Sequence, residues 1–146
     1  MKYVLDTNVF NRLLDGLFDL KVLPSDARFV ATHLQLDELR QTKNPLRRHA
    51  LLETFSAVGP EIVPTESFVW DVSAWDQCKW SDKKNYAQLD AMKKGLDTLN
   101  GAKPNNWHDA LIAEVALING FILVTDDYDL SKVARTHGIA VTRAAA

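Results

Sequence analysis

The sequence predicts an α/β fold in which helices cover both faces of a parallel sheet. Short apolar runs alternate along the chain with segments in which apolar residues recur at helical spacing. The runs lack the alternation of apolar and polar residues that is typical of a half-exposed strand, as residues 121–125 (Phe-Ile-Leu-Val-Thr) illustrate. Because no internal repeat or long linker divides the 146 residues, we expect a single domain over residues 1–146.

The first half of the chain contains three predicted strands. Residues 3–5 and 28–31 are short apolar runs, and each is followed by a predicted helix. Residues 62–64 form a weaker third strand, because a proline is tolerated only at the end or edge of a strand. Thr32 is a predicted N-cap for the helix after the second strand. Asn44, followed by a proline, predicts the start of the next helix.

The second half begins with a long helical region and ends with two more strands. Residues 67–100 are predicted to be wholly helical, in two segments that meet near residue 81. The remaining predictions are a helix from Trp107 to about Ile118 that Asn106 caps, a strand over 121–125, a short helix over 130–136 and a last strand over 139–142.

Composition restricts the possible functions. The chain carries 17 Lys and Arg against 19 Asp and Glu, so any nucleic acid would have to bind a local basic cluster. Cys78 is the only cysteine, which excludes an internal disulfide and a cysteine-based zinc site. No apolar stretch is long enough to span a bilayer, and Asp6 comes too early for a secretory segment. We therefore expect a cytoplasmic protein with no membrane association.

Acidic residues follow the predicted strands at the points where the strands end. Asp6 comes directly after the first strand, and Asp126 and Asp127 come directly after the fourth. Ligands of parallel sheets bind outside the carboxyl ends of the strands, so these acids are expected to lie close together. Glu38, on the helix after the second strand, and Asp109, in the first turn of the helix before the fourth, can face the same edge.

Each acid also has a purely structural explanation. The alternatives are helix capping or helix-dipole interactions for Asp6 and Asp109, solvent exposure for Glu38, and turn formation for Asp126, Asp127 and Asp129. As a group, however, such acids repel one another, by roughly 4 kcal/mol for two charges about 4 Å apart near the protein surface. A cluster therefore needs raised pKa values or a bound cation. Oxygen ligands alone favour Mg²⁺ or Mn²⁺ over zinc, which indicates phosphate chemistry.

Four motifs containing these acids, in this order, resemble the acidic motifs of PIN domains, and more specifically those of VapC-type toxins of bacterial and archaeal toxin–antitoxin pairs. The resemblance extends from residue 1 to about residue 142. The motifs are Leu5-Asp6-Thr7-Asn8-Val9, Asp37-Glu38-Leu39, His108-Asp109-Ala110-Leu111-Ile112-Ala113 and Leu123-Val124-Thr125-Asp126-Asp127-Tyr128-Asp129-Leu130.

The resemblance implies a Mg²⁺- or Mn²⁺-dependent endoribonuclease, usually dimeric, with a cognate antitoxin. It also implies a three-layer α/β/α fold around a five-stranded parallel sheet of order 3-2-1-4-5. The metal ligands and catalytic residues that carry over are Asp6, Glu38, Asp109 and Asp127, with Asp126 and Asp129 as alternatives to the fourth. Asn8 and Thr125 match the small polar residues that orient these carboxylates. We expect hydrolysis of RNA by a metal-activated water, without a covalent enzyme intermediate.

Other residues are open to more than one interpretation. Arg40, Lys43, Arg47 and Arg48 follow Glu38 and are expected either to guide RNA phosphates or to form a solvated basic face. The region 67–100 is unlike a typical member of the family; its Trp70, Trp75 and Trp80 are interpreted as core residues, a dimer contact or a groove for an antitoxin segment. Trp107 and His108 flank Asp109 and are expected to stack on a base or to fix the start of the helix, and His108 is also a candidate general acid.

Three other functional classes were considered. An aspartate-based phosphatase usually has a second aspartate two residues after the first, where this chain has Asn8. A response-regulator receiver domain needs paired acids near the first strand and a later lysine, and neither is evident. The main alternative is a PIN-like module that binds RNA or protein without cutting.

Overall fold

A computed structural model of the protein describes residues 1–66 and 83–143. Its centre is a five-stranded parallel sheet with the strand order β3-β2-β1-β4-β5. The strands are β1 (Lys2–Leu5), β2 (Arg28–Ala31), β3 (Glu61–Ile62), β4 (Ile122–Val124) and β5 (Val141–Thr142). The predicted sheet and its order are confirmed.

Two layers of helices cover the sheet. The helices are α1 (Thr7–Leu14), α2 (His33–Arg40), α3 (Pro45–Val58), α4 (Lys83–Asn100), α5 (Asn106–Asn119) and α6 (Tyr128–Thr136), and a short 3₁₀ turn covers Leu20–Val22. Helices α1, α2 and α3 contact one another, and so do α4, α5 and α6. The fold is thus a three-layer α/β/α fold of the PIN type.

The central strand β1 is buried on both faces of the sheet over Tyr3, Val4 and Leu5, as this apolar run predicts. Because side chains alternate along a strand, Val4 packs into the core beside α4 and α5, whereas Leu5 packs into the core beside α1 and α3. The latter core includes Phe10 and Phe55, whose ring centroids are 5.0 Å apart. This packing fixes the end of β1, where Asp6 leaves the sheet.

The N-terminus of α2 is tied to the end of β1. Thr32 caps α2, and its hydroxyl accepts a hydrogen bond from the amide of Leu34. Gln35 completes the capping box and also donates from Nε2 to the carbonyl of Leu5 at 2.9 Å. Because Gln35 is fully buried, these bonds hold α2, and with it Glu38, against the strand that carries Asp6.

The predicted N-cap of α5 is wrong by one residue. Helix α5 begins at Asn106, and Asn105 occupies the N-cap position without a side-chain hydrogen bond. The buried Asn106 side chain instead bonds Asp97 at 2.7 Å and Asn100 at 2.9 Å, both near the end of α4. It therefore fastens the α4–α5 connection rather than capping its own helix. By contrast, the predicted cap and first residue of α3, Asn44 and the following proline, are confirmed.

The remaining differences concern the ends of elements. Strand β3 covers Glu61–Ile62, earlier and shorter than predicted, and β4 and β5 are also shorter than predicted. The helical prediction for residues 67–100 is confirmed over Lys83–Asn100, while Trp70, Trp75 and Trp80 lie outside the described residues. Within residues 1–66 and 83–143, no helix has the length and apolarity needed to cross a membrane.

Candidate functional site

A polar cavity of about 190 Å³ lies at the carboxyl ends of β1 and β4. The four acids that carry over from the resemblance, Asp6, Glu38, Asp109 and Asp127, line it together. They come from four separate elements, namely the ends of the two strands and helices α2 and α5. The tertiary structure therefore brings residues up to 121 positions apart to one place, at the edge of the sheet where ligands of parallel folds bind.

Asp6 occupies the N-cap position of α1 but does not cap the helix with its side chain. Its carboxylate instead accepts a hydrogen bond of 2.8 Å from the hydroxyl of Thr125, which follows β4. The Asp6 amide also bonds the carbonyl of Val124 at 3.0 Å. The capping explanation for Asp6 is thus not what the structure shows. Its side chain, only 3% exposed, faces the cavity.

Asp127 combines a structural role with a place in the cavity wall. One carboxylate oxygen, Oδ1, accepts a hydrogen bond of 3.0 Å from the amide of Leu130 and so caps α6. The Asp127 amide donates to the Thr125 hydroxyl at 3.0 Å. Because that hydroxyl also donates to Asp6, Thr125 connects the two acids that leave β1 and β4. This arrangement matches the orienting role that the resemblance implies for Thr125.

Glu38 is held by a side chain from the opposite helix layer. Its Oε1 lies 2.8 Å from Nδ1 of His108 on α5, and both side chains are about one-fifth exposed. The solvated-surface explanation for Glu38 is therefore incomplete, since the residue faces the cavity and has a specific partner. The contact makes His108 the partner of a carboxylate in the cavity wall, whereas stacking on a base and action as a general acid stay predictions.

Trp107, the neighbour of His108, belongs to the packing around the helix. It lies against the core, and the ammonium of Lys93 on α4 is 5.3 Å from its ring centroid. The contact joins α4 to the start of α5. Of the two expectations for Trp107, fixing the start of the helix is the one this contact supports.

Burial and mutual repulsion raise the pKa values of two of the acids. The pKa of Asp6 is raised to about 7, and burial is the largest cause. The hydrogen bond from Thr125 lowers the pKa, and the negative charges of Glu38 and Asp127 raise it further. Burial likewise raises the pKa of Asp109 to about 8, with further contributions from the charges of Asp6, Asp127 and Glu38. The site thus holds protons near neutral pH that ordinary carboxylates release.

The cavity wall also contains residues that the sequence did not single out as functional. They are Asn100, Lys103, Asn105 and Asn106, from the connection between α4 and α5. The charge of Lys103 lowers the pKa of Asp109 and partly offsets the repulsion from the other acids. The only available sequence signal was position, since this connection leads directly into the motif of Asp109.

The connection itself has an unusual backbone. Gly101 and Ala102 both adopt left-handed conformations, with φ of 73° and 61°. Such a conformation is strained for alanine. It places Lys103 at the rim of the cavity, where the hydrogen bonds of Asn106 anchor the loop.

The alternatives for the fourth ligand are placed on different surfaces. Asp129 lines the acidic cavity together with Asp127 and Asn8. Asp126 contacts the guanidinium groups of Arg12, at 3.1 Å, and Arg143 instead. Asp127 and Asp129 are therefore the acids of this motif that face the cavity.

The four basic residues that follow Glu38 have different environments. Arg47 forms a two-pronged ion pair with Asp15 at 2.9 and 3.0 Å, and Arg48 donates to the carbonyl of Thr42. Arg40 lies 3.7 Å from Asp37. Arg47 and Arg48 thus have structural partners, Arg40 has a weak one, and Lys43 lines none of the cavities described here.

The chemistry of the donor atoms, though not their present spacing, suits a hard divalent cation. All four acids supply oxygen atoms, and a cation would relieve the repulsion that raises the pKa values of Asp6 and Asp109. The Thr7 hydroxyl lines the same cavity, is buried, and has no hydrogen-bond partner in residues 1–66 and 83–143. In those same ranges, no three acid, histidine or cysteine side chains are spaced to hold one ion as they stand.

The fold is shared with several solved structures. VapBC2 from Rickettsia felis, bound to a DNA fragment from its promoter, matches with 17% identity, a TM-score of 0.58 and coverage of 98% of both chains. VapBC-5 from Mycobacterium tuberculosis, of a family of toxin–antitoxin systems, matches with 22% identity and a TM-score of 0.57 over 97% of this chain and 98% of that one. A PilT N-terminus domain protein from Sulfolobus solfataricus matches with 14% identity and a TM-score of 0.52, over 98% of this chain and 87% of that one.

At these identities the likeness establishes the fold. No protein-family model matches the sequence, and no curated protein is significantly similar to it.

Proposed function

We propose that the protein is a Mg²⁺- or Mn²⁺-dependent endoribonuclease of the PIN type, acting in the cytoplasm as the toxin of a toxin–antitoxin pair. The observation that carries the proposal is the shared cavity of Asp6, Glu38, Asp109 and Asp127, in which burial and repulsion raise the pKa values of Asp6 and Asp109. The fold shared with VapBC structures supports the family assignment.

In the proposed reaction, Asp6, Asp109 and Asp127 would hold the ion, and Glu38 would bind it directly or through water. Bound there, a divalent cation would acidify a water molecule and stabilise the charge of the phosphodiester transition state. Thr125 orients Asp6, and His108 orients Glu38, through the hydrogen bonds described above. Lys103 contributes a positive charge to the wall of the acidic cavity, and this charge would suit a non-bridging phosphate oxygen.

The experiment that tests the proposal is cleavage of a panel of small RNAs with Mn²⁺, with EDTA as the metal-free control. Asp6→Asn is expected to abolish cleavage while the circular dichroism spectrum stays that of a folded protein. Asp26→Asn, at an exposed turn outside the cavity, is the matched control and is expected to cleave like the wild type. Mn²⁺-dependent cleavage that survives in Asp6→Asn contradicts the proposed site. RNA binding without any cleavage by the wild type would instead indicate a catalytically silent binding module.

The toxin assignment has its own test. A short reading frame directly upstream, encoding a protein with a DNA-binding N-terminus, is expected to supply the antitoxin. Coexpression should then yield a stable complex that does not cleave RNA. Light scattering on the isolated protein is expected to show a homodimer.

A further inference from the structure

A second cavity, of about 290 Å³, lies beside the acidic cavity and shares one wall with it. The common residue is Asp127, which lines both. The other side of the second cavity is formed by α6 and by Arg143, the residue after β5. The two cavities are therefore neighbours on either side of Asp127, within reach of adjacent units of one chain molecule.

The second cavity has a different charge from the first. Asp126 at its floor is contacted by both Arg12 and Arg143, so these three residues together carry one positive charge. Arg135, on α6, adds another; it is exposed and forms no ion pair within the part of the chain that the structure describes. The charged residues that line the cavity, Asp126, Asp127, Arg135 and Arg143, balance one another, and Arg12, paired with Asp126, adds one positive charge. The second cavity is therefore better suited to an anion than the acidic cavity.

An exposed aromatic side chain stands at the mouth of this cavity. Tyr128 is 75% exposed, although it directly follows Asp127 and starts α6. A large aromatic ring held in solvent beside arginines is typical of surfaces that bind single-stranded nucleic acid, where bases stack on the ring and cations hold the phosphates. The hydroxyl of Ser131, one helical turn further along α6, adds a hydrogen-bond donor.

We infer that the second cavity is a subsite for the nucleotide next to the cleaved bond, with Arg135 and Ser131 binding its phosphate and Tyr128 stacking on its base. The inference rests on the proposed function, which it deepens by naming the residues that bind the neighbouring nucleotide. A base paired in a duplex is stacked on its neighbours and is not free to stack on Tyr128. An acidic protein segment could form ion pairs with the arginines but would offer no base to stack on the ring of Tyr128.

The test is binding of a fluorescein-labelled, single-stranded RNA decamer, measured by anisotropy in EDTA so that no cleavage occurs. Tyr128→Ala is expected to weaken binding about tenfold, in the range of one lost base-stacking contact, whereas Tyr128→Phe keeps the ring and stays within about twofold of the wild type. Arg135→Ala is expected to weaken binding about five- to tenfold and to lower the slope of log affinity against log salt by about 0.7, as for one phosphate contact to a single strand.

Two controls separate this site from general charge effects. Arg28→Ala removes an exposed arginine at the start of β2, away from both cavities, and is expected to bind like the wild type. Polyglutamate at equal charge is expected to compete poorly. Normal binding by Tyr128→Ala and Arg135→Ala would overturn the inference. Competition by polyglutamate, or equally tight binding of a duplex, would overturn it in favour of a protein-binding or shape-reading surface.

Cleavage by the wild type in Mn²⁺, measured in parallel, keeps the two proposals apart. If the wild type cleaves RNA while both variants bind normally, the subsite is wrong and the nuclease proposal stands. If the variants lose binding but the wild type never cleaves, the nucleotide-binding role of these residues stands, whereas the nuclease proposal and the place of the subsite beside a cleaved bond fall. If the wild type does not bind the decamer at all, the subsite is excluded.

Discussion

Thr125 donates a hydrogen bond of 2.8 Å to the carboxylate of Asp6 across the gap between β4 and β1. The same hydroxyl accepts the amide of Asp127 at 3.0 Å, so one side chain sets the relative positions of two candidate ligands. Because Thr125 is 1% exposed and Asp6 is 3% exposed, a water molecule cannot readily replace the Thr125 hydroxyl as the hydrogen-bond partner of Asp6.

Thr125→Val is expected to weaken Mn²⁺ binding and slow RNA cleavage. It preserves the shape of the side chain but removes the hydrogen bond that lowers the pKa of Asp6, a bond to a charged group worth about 1.5 to 3 kcal/mol. The expected loss is about tenfold in metal affinity at pH 7, measured by calorimetry. Thr125→Ser keeps the hydroxyl and should stay close to the wild type. Equal losses in the two variants would mean that packing, rather than the hydrogen bond, is responsible.

The metal-free protein is expected to be less stable at pH 8.5 than at pH 5.5. The folded-state pKa values of Asp6, about 7, and Asp109, about 8, exceed the unfolded value of 3.8, so the folded state retains protons that the unfolded state releases. The free energy of unfolding therefore falls as the pH rises from 5.5 to 8.5, by roughly 5 kcal/mol for the two acids together. Urea denaturation in EDTA measures it.

Asp109→Asn provides the control for this pH effect, because it removes the ionisation of one acid with little change in shape. We expect the variant to lose less stability between pH 5.5 and 8.5 than the wild type. Mn²⁺ should stabilise the wild type more at pH 8.5 than at pH 5.5, since it binds ionised carboxylates. A wild-type protein that is equally stable at both pH values would contradict the raised pKa values.

His108 is expected to act as a positioning residue for Glu38. His108→Ala removes the 2.8 Å contact and should lower kcat about tenfold with a smaller change in KM. His108→Asn places an amide donor near the position of Nδ1 and should recover most of the activity, whereas His108→Gln, whose amide reaches the position of Nε2, should not. If Asn and Gln behave alike, the position of the donor does not matter and this role is wrong.

Lys103→Ala is expected to change metal binding and RNA cleavage in opposite directions. Removing its charge takes a competing cation away from Asp109, so Mn²⁺ should bind more tightly at pH 8.5. Cleavage should nevertheless fall about tenfold, in the range for loss of one group that stabilises a developing charge. Lys103→Arg should restore cleavage, and Lys21→Ala, beside a separate apolar cavity, should change neither. A parallel fall in both quantities would indicate a structural role.

The sequence correctly predicted the features that depend on local patterns. The buried strand runs, the cap of α3 by Asn44 and the capping of α2 by Thr32 follow from burial and from hydrogen bonding within a few residues. The position of Asp6 and Asp127 at the strand ends follows from the predicted order of strands and helices, since parallel strands end at one edge of the sheet. Because these signals are local, no tertiary information was needed to read them.

The failures arose where a long-range contact competed with a local preference. Asn106 is a residue type that commonly caps helices, but its side-chain amide instead forms buried hydrogen bonds with Asp97 and Asn100. The capping alternative for Asp6 fails for the same reason, since its carboxylate bonds Thr125 instead. The resemblance favoured Asp127 as the fourth ligand and left Asp126 and Asp129 as alternatives. In the structure Asp126 contacts two arginines, whereas Asp127 and Asp129 line the cavity.

The sequence by itself thus determined the fold class, the strand order implied by its motifs and the acids that reach the edge of the sheet. Only the tertiary structure decided which side chains meet there, namely His108 with Glu38, and Lys103 near enough to Asp109 to lower its pKa. It alone also showed the second cavity, lined by Arg135 and Arg143, next to Asp127. The physical reason is that periodicity and capping act over a few residues. Hydrogen bonds, burial and charge interactions between distant residues exist only once the helices have packed on the sheet.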